Sequence, residues 1–313
     1  MTSPTPSDMP FTAPRESVAS PAGDVQLPIH YRDGFAGTAL FAVDLERAAS
    51  VLQETVLPSA ASSPANEDAS SRLAPVEHDG QATAAITFYD YRDTSLGPYR
   101  EVALALLVTP SIDLSSSEPA SSEPASSDLA TGEQPTGVRT ATDSPPPHPI
   151  GYYLLDLPVT TDLADVVGRH LWGYPKFVAG VSLQTAADNF SGQLSDAEGE
   201  TILRLAGQPG THIKTQPSRD VTTYSWTGSS TGEQEDARTN LLRTTITTDC
   251  PYNLFEPGSL TLQVAASGHP MTARLRRLGL EDQTPIRWQT TDAFRAELPA
   301  GIVAGGSRSI TRR

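Results

Sequence analysis

Between two runs of strand-forming residues, this chain loses every means of burying itself. Arg100–Thr109 (REVALALLVT) and Ile150–Leu157 (IGYYLLDL) are rich in Val, Leu, Ile and Tyr, the residue types that fit a pleated, half-buried surface. Between them, Ser111 to Pro149 is dominated by Ser, Pro, Ala, Thr and acidic residues. Ser-Ser-Glu-Pro-Ala occurs at Ser116–Ala120 and again at Ser121–Ala125, and Pro145-Pro146-Pro147 closes the stretch. Such a segment cannot bury enough apolar surface to offset its ordering entropy. Residues 112–148 are therefore expected to be a disordered insertion. A linker between two domains is the alternative. The insertion is preferred because both flanks are β in character and neither makes a domain alone.

The rest of the chain fits one domain over residues 25–305. Residues 1–24 read as a disordered tail, 58–79 as a loop and 306–313 as a second tail. Gly37–Val43 reads as a strand, followed by a short helix capped by Asp44 with Leu45, Ala48, Ala49 and Leu52 on one face. Thr83–Tyr91 turns at Ser95-Leu96-Gly97-Pro98 into Arg100–Thr109, as a hairpin would. Thr160 or Thr161 caps a second helix, with Asp162 and Asp165 in its first turn and Leu163, Val166, Val167 and Leu171 as its apolar stripe. Gly173 ends it, and Tyr174-Pro175 forces an extended path. Lys176–Leu183 then reads as one strand, with Lys176, Val178, Gly180 and Ser182 on a common face. Further strands are expected at Thr201–Leu205, Val221–Thr227, Asn240–Thr247 and Ser259–Ala265, a turn at His269-Pro270, and a short helix around Thr290–Glu297. The sum is mainly β with a few helices (α+β), arranged as an antiparallel β-barrel or two-sheet barrel.

Charge and composition exclude several functions. Net charge is −15, so the basic face that nucleic acid requires is missing. Only Lys176 and Lys214 are lysine, and the other cations are arginine. An acid-rich, lysine-poor surface resembles those of salt-adapted (halophilic) cytoplasmic proteins, because at 1 M salt the Debye length is about 3 Å and self-repulsion is screened. Cys250 is the sole cysteine, which removes any intramolecular disulfide and suits a reducing compartment. The six histidines are scattered without zinc-ligand spacing. The Ser/Pro/Thr-rich stretch Met1–Pro21 has no apolar core segment and is not expected to be a secretory signal, and no apolar run reaches the ~18 residues of a membrane span. The expectation is a cytoplasmic protein without membrane, metal or cofactor.

Lysine scarcity turns attention to Lys176. It stands directly after Pro175, at the head of an apolar run. Desolvation disfavours an ammonium, and a neutral amine attacks a ketone or aldehyde to form an imine. Spacing alone assigns no such role, since most lysines at strand starts are solvated. Glu101 is the second candidate, a carboxylate opening an otherwise apolar run that needs a partner or a purpose. Trp172 and Tyr174 read as core residues, and His170 as a helix-surface residue.

Gly168-Arg169 followed by Gly173-Tyr174-Pro175-Lys176 resembles the active-site segment of the acetoacetate decarboxylase family, in which the lysine after Tyr-Pro forms a Schiff base with substrate. Arg92-Asp93-Thr94-Ser95-Leu96-Gly97-Pro98-Tyr99-Arg100-Glu101 is similar to the segment of that family carrying an active-site glutamate. Ile150–Leu157 resembles the strand before its lysine helix. The likeness spans roughly Gly34 to Pro299 without the insertions. It implies Lys176 as nucleophile, Glu101 as acid or base, and Arg32, Arg169, Tyr99 and Tyr174 as substrate-binding residues. The activity implied is decarboxylation of acetoacetate or a related small β-keto acid by a homo-oligomer without cofactor. Two alternatives are a non-catalytic small-ligand-binding barrel, and aldol or dehydration chemistry through the same lysine. The chain departs from the family in having Phe177 where a second lysine is usual, His170 where glutamate is usual, and Thr87 near the place of another glutamate.

Overall fold

The computed structural model describes residues 14–56, 72–111, 149–186, 188–227 and 240–304. The expected insertion 112–148, most of the expected loop 58–79 and the tail 306–313 lie outside the described residues. In chain order the elements are β1 (Glu16–Val18), β2 (Val25–Leu27), β3 (Ile29–Asp44), α1 (Leu45–Val56), β4 (Arg72–Pro75), β5 (Gln81–Thr94), β6 (Tyr99–Ser111) and β7 (Gly151–Val159). Then follow α2 (Asp162–Trp172), β8 (Lys176–Val178), β9 (Gly180–Ala186), β10 (Asn189–Ser195), β11 (Thr201–Gly207), β12 (His212–Gln216), β13 (Val221–Thr227) and β14 (Asn240–Thr248). The last are β15 (Tyr252–Phe255), β16 (Thr261–Val264), α3 (Pro270–Arg277), β17 (Arg287–Thr291), β18 (Ala296–Leu298) and β19 (Ile302–Val303).

The core architecture is a closed seven-stranded mixed barrel. Following the pairings round, β3 meets β18, then β14, β13, β7, β6 and β5, and β5 returns to β3. Closure leaves these strands no free edge. Most pairs are antiparallel as expected, but β7 runs parallel to both β8 and β13. β17, β15 and β12 continue the sheet outward from β3.

A four-stranded sheet, in the order β16-β11-β10-β9, packs with α1 and α3 over one flank of the barrel. Phe190 of β10 anchors it, 4.6 Å from Trp288 and 5.7 Å from Phe88 between ring centroids. Leu203, Leu275 and Leu52 join the same apolar cluster, each contributing about 1.5–3 kcal/mol by full burial. A second cluster fills the barrel interior around Tyr31, Tyr91, Tyr99, Trp172 and Tyr174.

Several expectations need correction. The N-terminal tail expected over residues 1–24 includes strand, since β1 pairs with β2. The loop expected at 58–79 includes strand as well, since β4 pairs with β6. Lys176–Leu183 is not one strand: β8 belongs to the barrel and β9 to the second sheet, so Lys176 is buried while Val178 is 40 % exposed. The helix expected at Thr290–Glu297 is two strands, β17 and β18, tied to β3. The turn expected at His269-Pro270 is the start of α3, with His269 as N-cap and its ring nitrogen accepting from the Met271 N–H. The buried face of α2 is Ala164, Asp165, Val167, Gly168 and Trp172, and Leu163 is exposed.

Candidate active site

Helix α2 and the strands flanking β7 place the two candidate residues. Thr161 caps α2, its side chain accepting from the Ala164 N–H at 3.4 Å. Asp162 and Asp165 occupy the first turn, where the helix dipole favours anions. Gly173 ends the helix at φ 64°, a left-handed conformation that glycine adopts without steric cost. Tyr174-Pro175 then carries the chain into β8, where Lys176 pairs with Leu157 of β7. On the other side of β7, Glu101 of β6 pairs with Val159. The two side chains therefore approach each other along one wall of the barrel interior.

They meet at 2.5 Å, Lys176 Nζ to Glu101 Oε2, with side chains only 6 % and 8 % exposed. A charge-assisted contact this short is strong, and burial of both groups makes each dependent on the other. The Tyr91 hydroxyl donates to the other carboxylate oxygen at 3.3 Å. Lys176 Nζ also lies 5.7 Å from the centroid of the Tyr99 ring, within cation–π range. Gly168 makes the lysine's position possible, because a Cβ there would overlap the Lys176 Cδ and Cε.

A chamber of about 90 Å³ opens at this pair. Its walls include Tyr31, Tyr89, Tyr91, Tyr99, Tyr174 and Trp172. The Tyr31 and Tyr99 hydroxyls lie 3.2 Å apart, and the Tyr174 hydroxyl lies 3.0 Å from Thr223 Oγ1. Burial, reinforced by the negative charge of Glu101, pushes the phenols of Tyr31, Tyr89 and Tyr91 well above their usual range. Burial raises Tyr174 to about 12, against the pull of its hydrogen bonds to Thr223 and Thr244. These hydroxyls thus remain protonated at neutral pH and can donate.

Of the sequence-derived candidates, Lys176, Glu101, Tyr99 and Tyr174 line one chamber. Arg32 and Arg169 do not reach it. Arg32 lies on the surface, 3.1 Å from Asp93, and Arg169 pairs with Asp165 one turn earlier on α2 at 3.1 Å. Their side chains are 41 % and 43 % exposed. Phe177 leaves β8 on the face opposite Lys176 and packs against His269 with ring centroids 5.1 Å apart. The residue at that position therefore has no direct bearing on Nζ. Thr87 is buried and hydrogen-bonded to Thr38 at 3.0 Å, and it lines an adjoining chamber rather than the one at Lys176.

Sequence reasoning did not single out Tyr31, Tyr91 or Thr223. A signal existed for the tyrosines: Tyr89 and Tyr91 on β5, like Tyr99 and Glu101 on β6, are spaced to share a face. Among the described residues, no group of three or more His, Cys, Asp or Glu side chains could hold a metal ion, and no helix is long and apolar enough to cross a membrane.

Comparison with known proteins agrees with this arrangement at the level of family and fold. The acetoacetate decarboxylase family model matches residues 8–282. Comparison with curated proteins gives no match. A structure from structural studies of acetoacetate decarboxylase superposes with a TM-score of 0.53 at 16 % identity, covering 90 % of this chain and 89 % of that one. Acetoacetate decarboxylase from Legionella pneumophila gives 0.53 at 14 % identity, covering 94 % and 92 %. The enduracididine biosynthesis enzyme MppR, complexed with the condensation product of pyruvate and imidazole 4-carboxaldehyde, gives 0.55 at 13 % identity, covering 94 % and 98 %. At these identities the likeness to the solved structures is one of fold.

Proposed function

The chain belongs to the acetoacetate decarboxylase family, and we propose that it is a Schiff-base-forming carboxy-lyase acting on a small β-keto acid through Lys176. The observation that carries this reading is the 2.5 Å approach of Lys176 Nζ to Glu101 Oε2 inside a chamber closed by tyrosines.

In this reading Glu101, the nearest base, takes a proton from the Lys176 ammonium. The neutral amine adds to the ketone carbon, and the carbonyl oxygen leaves as water, giving a protonated imine. The bond between the α-carbon and the carboxylate then breaks. Its electron pair moves into the carbon–nitrogen system as an enamine, and carbon dioxide departs. Protonation of the enamine carbon restores the imine, and water hydrolyses it to free the ketone and the amine. Glu101 gives its proton up as the carbonyl oxygen leaves as water, and the enamine carbon takes the one proton that the net reaction draws from solvent; positioned acid–base catalysis of this kind contributes about 10²–10⁴-fold. The phenol hydroxyls can hold the departing and arriving water. An apolar chamber containing a second carboxylate, that of Glu101, is a poor solvent for the substrate carboxylate. Losing its charge as carbon dioxide relieves that cost.

The test is release of carbon dioxide from acetoacetate, measured against the spontaneous rate. The wild-type protein should exceed that rate and Lys176→Met should fall to it. A folded Lys176→Met protein that retains the wild-type rate would refute the role given to Lys176.

A further inference from the structure

Among the described residues, the chamber at Lys176 offers an incoming anion no cation but the lysine that must react with it. Arg32 and Arg169 are engaged on the surface, and the Glu101 carboxylate faces the same space. Binding energy for an anionic substrate must therefore come from elsewhere. A second chamber of about 320 Å³ adjoins the first and shares walls with it at Tyr89, Ala103, Leu154, Val221 and Tyr252. Its room comes from small side chains on three consecutive barrel strands, Ala36, Ala85 and Ala105. Its polar groups include Thr38, Thr87, Tyr152, Gln216 and Gln289.

At the rim of this second chamber stands Arg219. It is exposed and forms no ion pair among the described residues, and Asp220 is exposed beside it. Arg219 lies four positions before Thr223, which touches Tyr174 in the inner chamber. Fully extended, four residues span at most about 13 Å, which bounds the backbone separation of Arg219 and Thr223.

We propose that the outer chamber is a substrate subsite: it receives the far end of a β-keto acid longer than acetoacetate, with Arg219 recognising a second, terminal anionic group. This deepens the Schiff-base reading and rests on it. Contacts to a remote, unreacting part of a substrate can offset unfavourable surroundings at the reacting carbon. Here the reactive carboxylate would lie near Glu101, without a cationic clamp, while the tail holds the molecule in place.

The experiment measures kcat/KM for acetoacetate, 3-oxodecanoate and 3-oxosebacate, the last two equal in length but only the last carrying a second carboxylate at its far end. Three folded proteins are compared: wild type, Arg219→Glu and Gln289→Trp, the last narrowing the outer chamber from a half-buried position. Wild type should prefer the diacid over its neutral-ended counterpart by about fivefold, the size expected of a partly solvated ion pair. Arg219→Glu should abolish or invert that ratio. Gln289→Trp should lower both long substrates relative to acetoacetate on the order of tenfold. Substrate ratios that are the same in all three proteins, or exclusion of both long substrates by wild type, would overturn the proposal. If no substrate releases carbon dioxide, the lyase reading fails on its own, and calorimetric binding of unreactive sebacate decides the subsite. Weaker binding by Arg219→Glu supports it, and no binding, or equal binding, overturns it.

Discussion

Glu101 Oε2 lies 2.5 Å from Lys176 Nζ, although 75 positions separate the two residues in the chain. The pair is buried, and neither member has a second partner of opposite charge among the described residues. In Glu101→Gln the amide keeps the shape and loses the ability to take a proton. Carbon dioxide release should fall on the order of 10²-fold or more, with KM changing less than kcat. Far-ultraviolet circular dichroism checks that the fold persists. An unchanged kcat would remove Glu101 from the chemistry.

Gly168 is where helix preference and chemistry oppose each other. Alanine in place of an interior helical glycine ordinarily stabilises by about 1 kcal/mol. Here its Cβ would overlap the Lys176 Cδ and Cε. Gly168→Ala should instead destabilise by about 1–3 kcal/mol, as overpacking does, and displacement of Nζ should lower turnover on the order of 10²-fold. Urea unfolding together with kcat tests both effects. A stabilised, fully active variant would mean that the lysine does not need this path.

Asp156 supplies a pH dependence outside the active site. Burial raises its carboxyl to about 6, against the lowering influence of Arg274, with which it pairs. The folded-state value thus lies above the ordinary carboxyl value of 3.8. A group raised in this way contributes stability that is fully present below about pH 4 and is lost as pH rises through about 6. Asp156→Asn should flatten the stability profile across that window. Urea midpoints measured from pH 4 to pH 7 in both proteins provide the check. Identical profiles would contradict the assignment.

The net charge of −15 predicts a response to salt. As KCl rises from about 0.1 M to 1 M, the Debye length falls from about 10 Å to about 3 Å. Surface self-repulsion then fades, and Tm should increase. A Tm that is flat or falls with KCl would count against salt adaptation.

Much of this molecule was legible in the sequence, and the exceptions have physical causes. The strands at Thr83–Tyr91 and Arg100–Thr109 and the caps of α2 follow from local residue chemistry, which side-chain period and turn residues report directly. The Lys176–Glu101 encounter was foreseen only through the family resemblance, because no local pattern reports which strands become neighbours. The break between β8 and β9 was missed because Lys176–Leu183 carries an unbroken apolar run, and the change of sheet at Ala179 leaves no residue-type signature. Arg32 and Arg169 were named because a carboxylate substrate invites an arginine. The fold instead pairs each with a nearby aspartate on the surface. The helix expected near Thr290–Glu297 is strand because β3 offers backbone partners on that side, a tertiary effect that overrides local pattern.

The most direct test of the central claim is borohydride trapping. The protein in concentrated KCl is incubated with acetoacetate, reduced with sodium borohydride, digested and read by peptide mass spectrometry. A reduced adduct is expected on the peptide containing Lys176, absent from Lys176→Met and not transferred to Lys214. No adduct on Lys176 from a protein shown to be folded, with either acetoacetate or 3-oxosebacate, would contradict it.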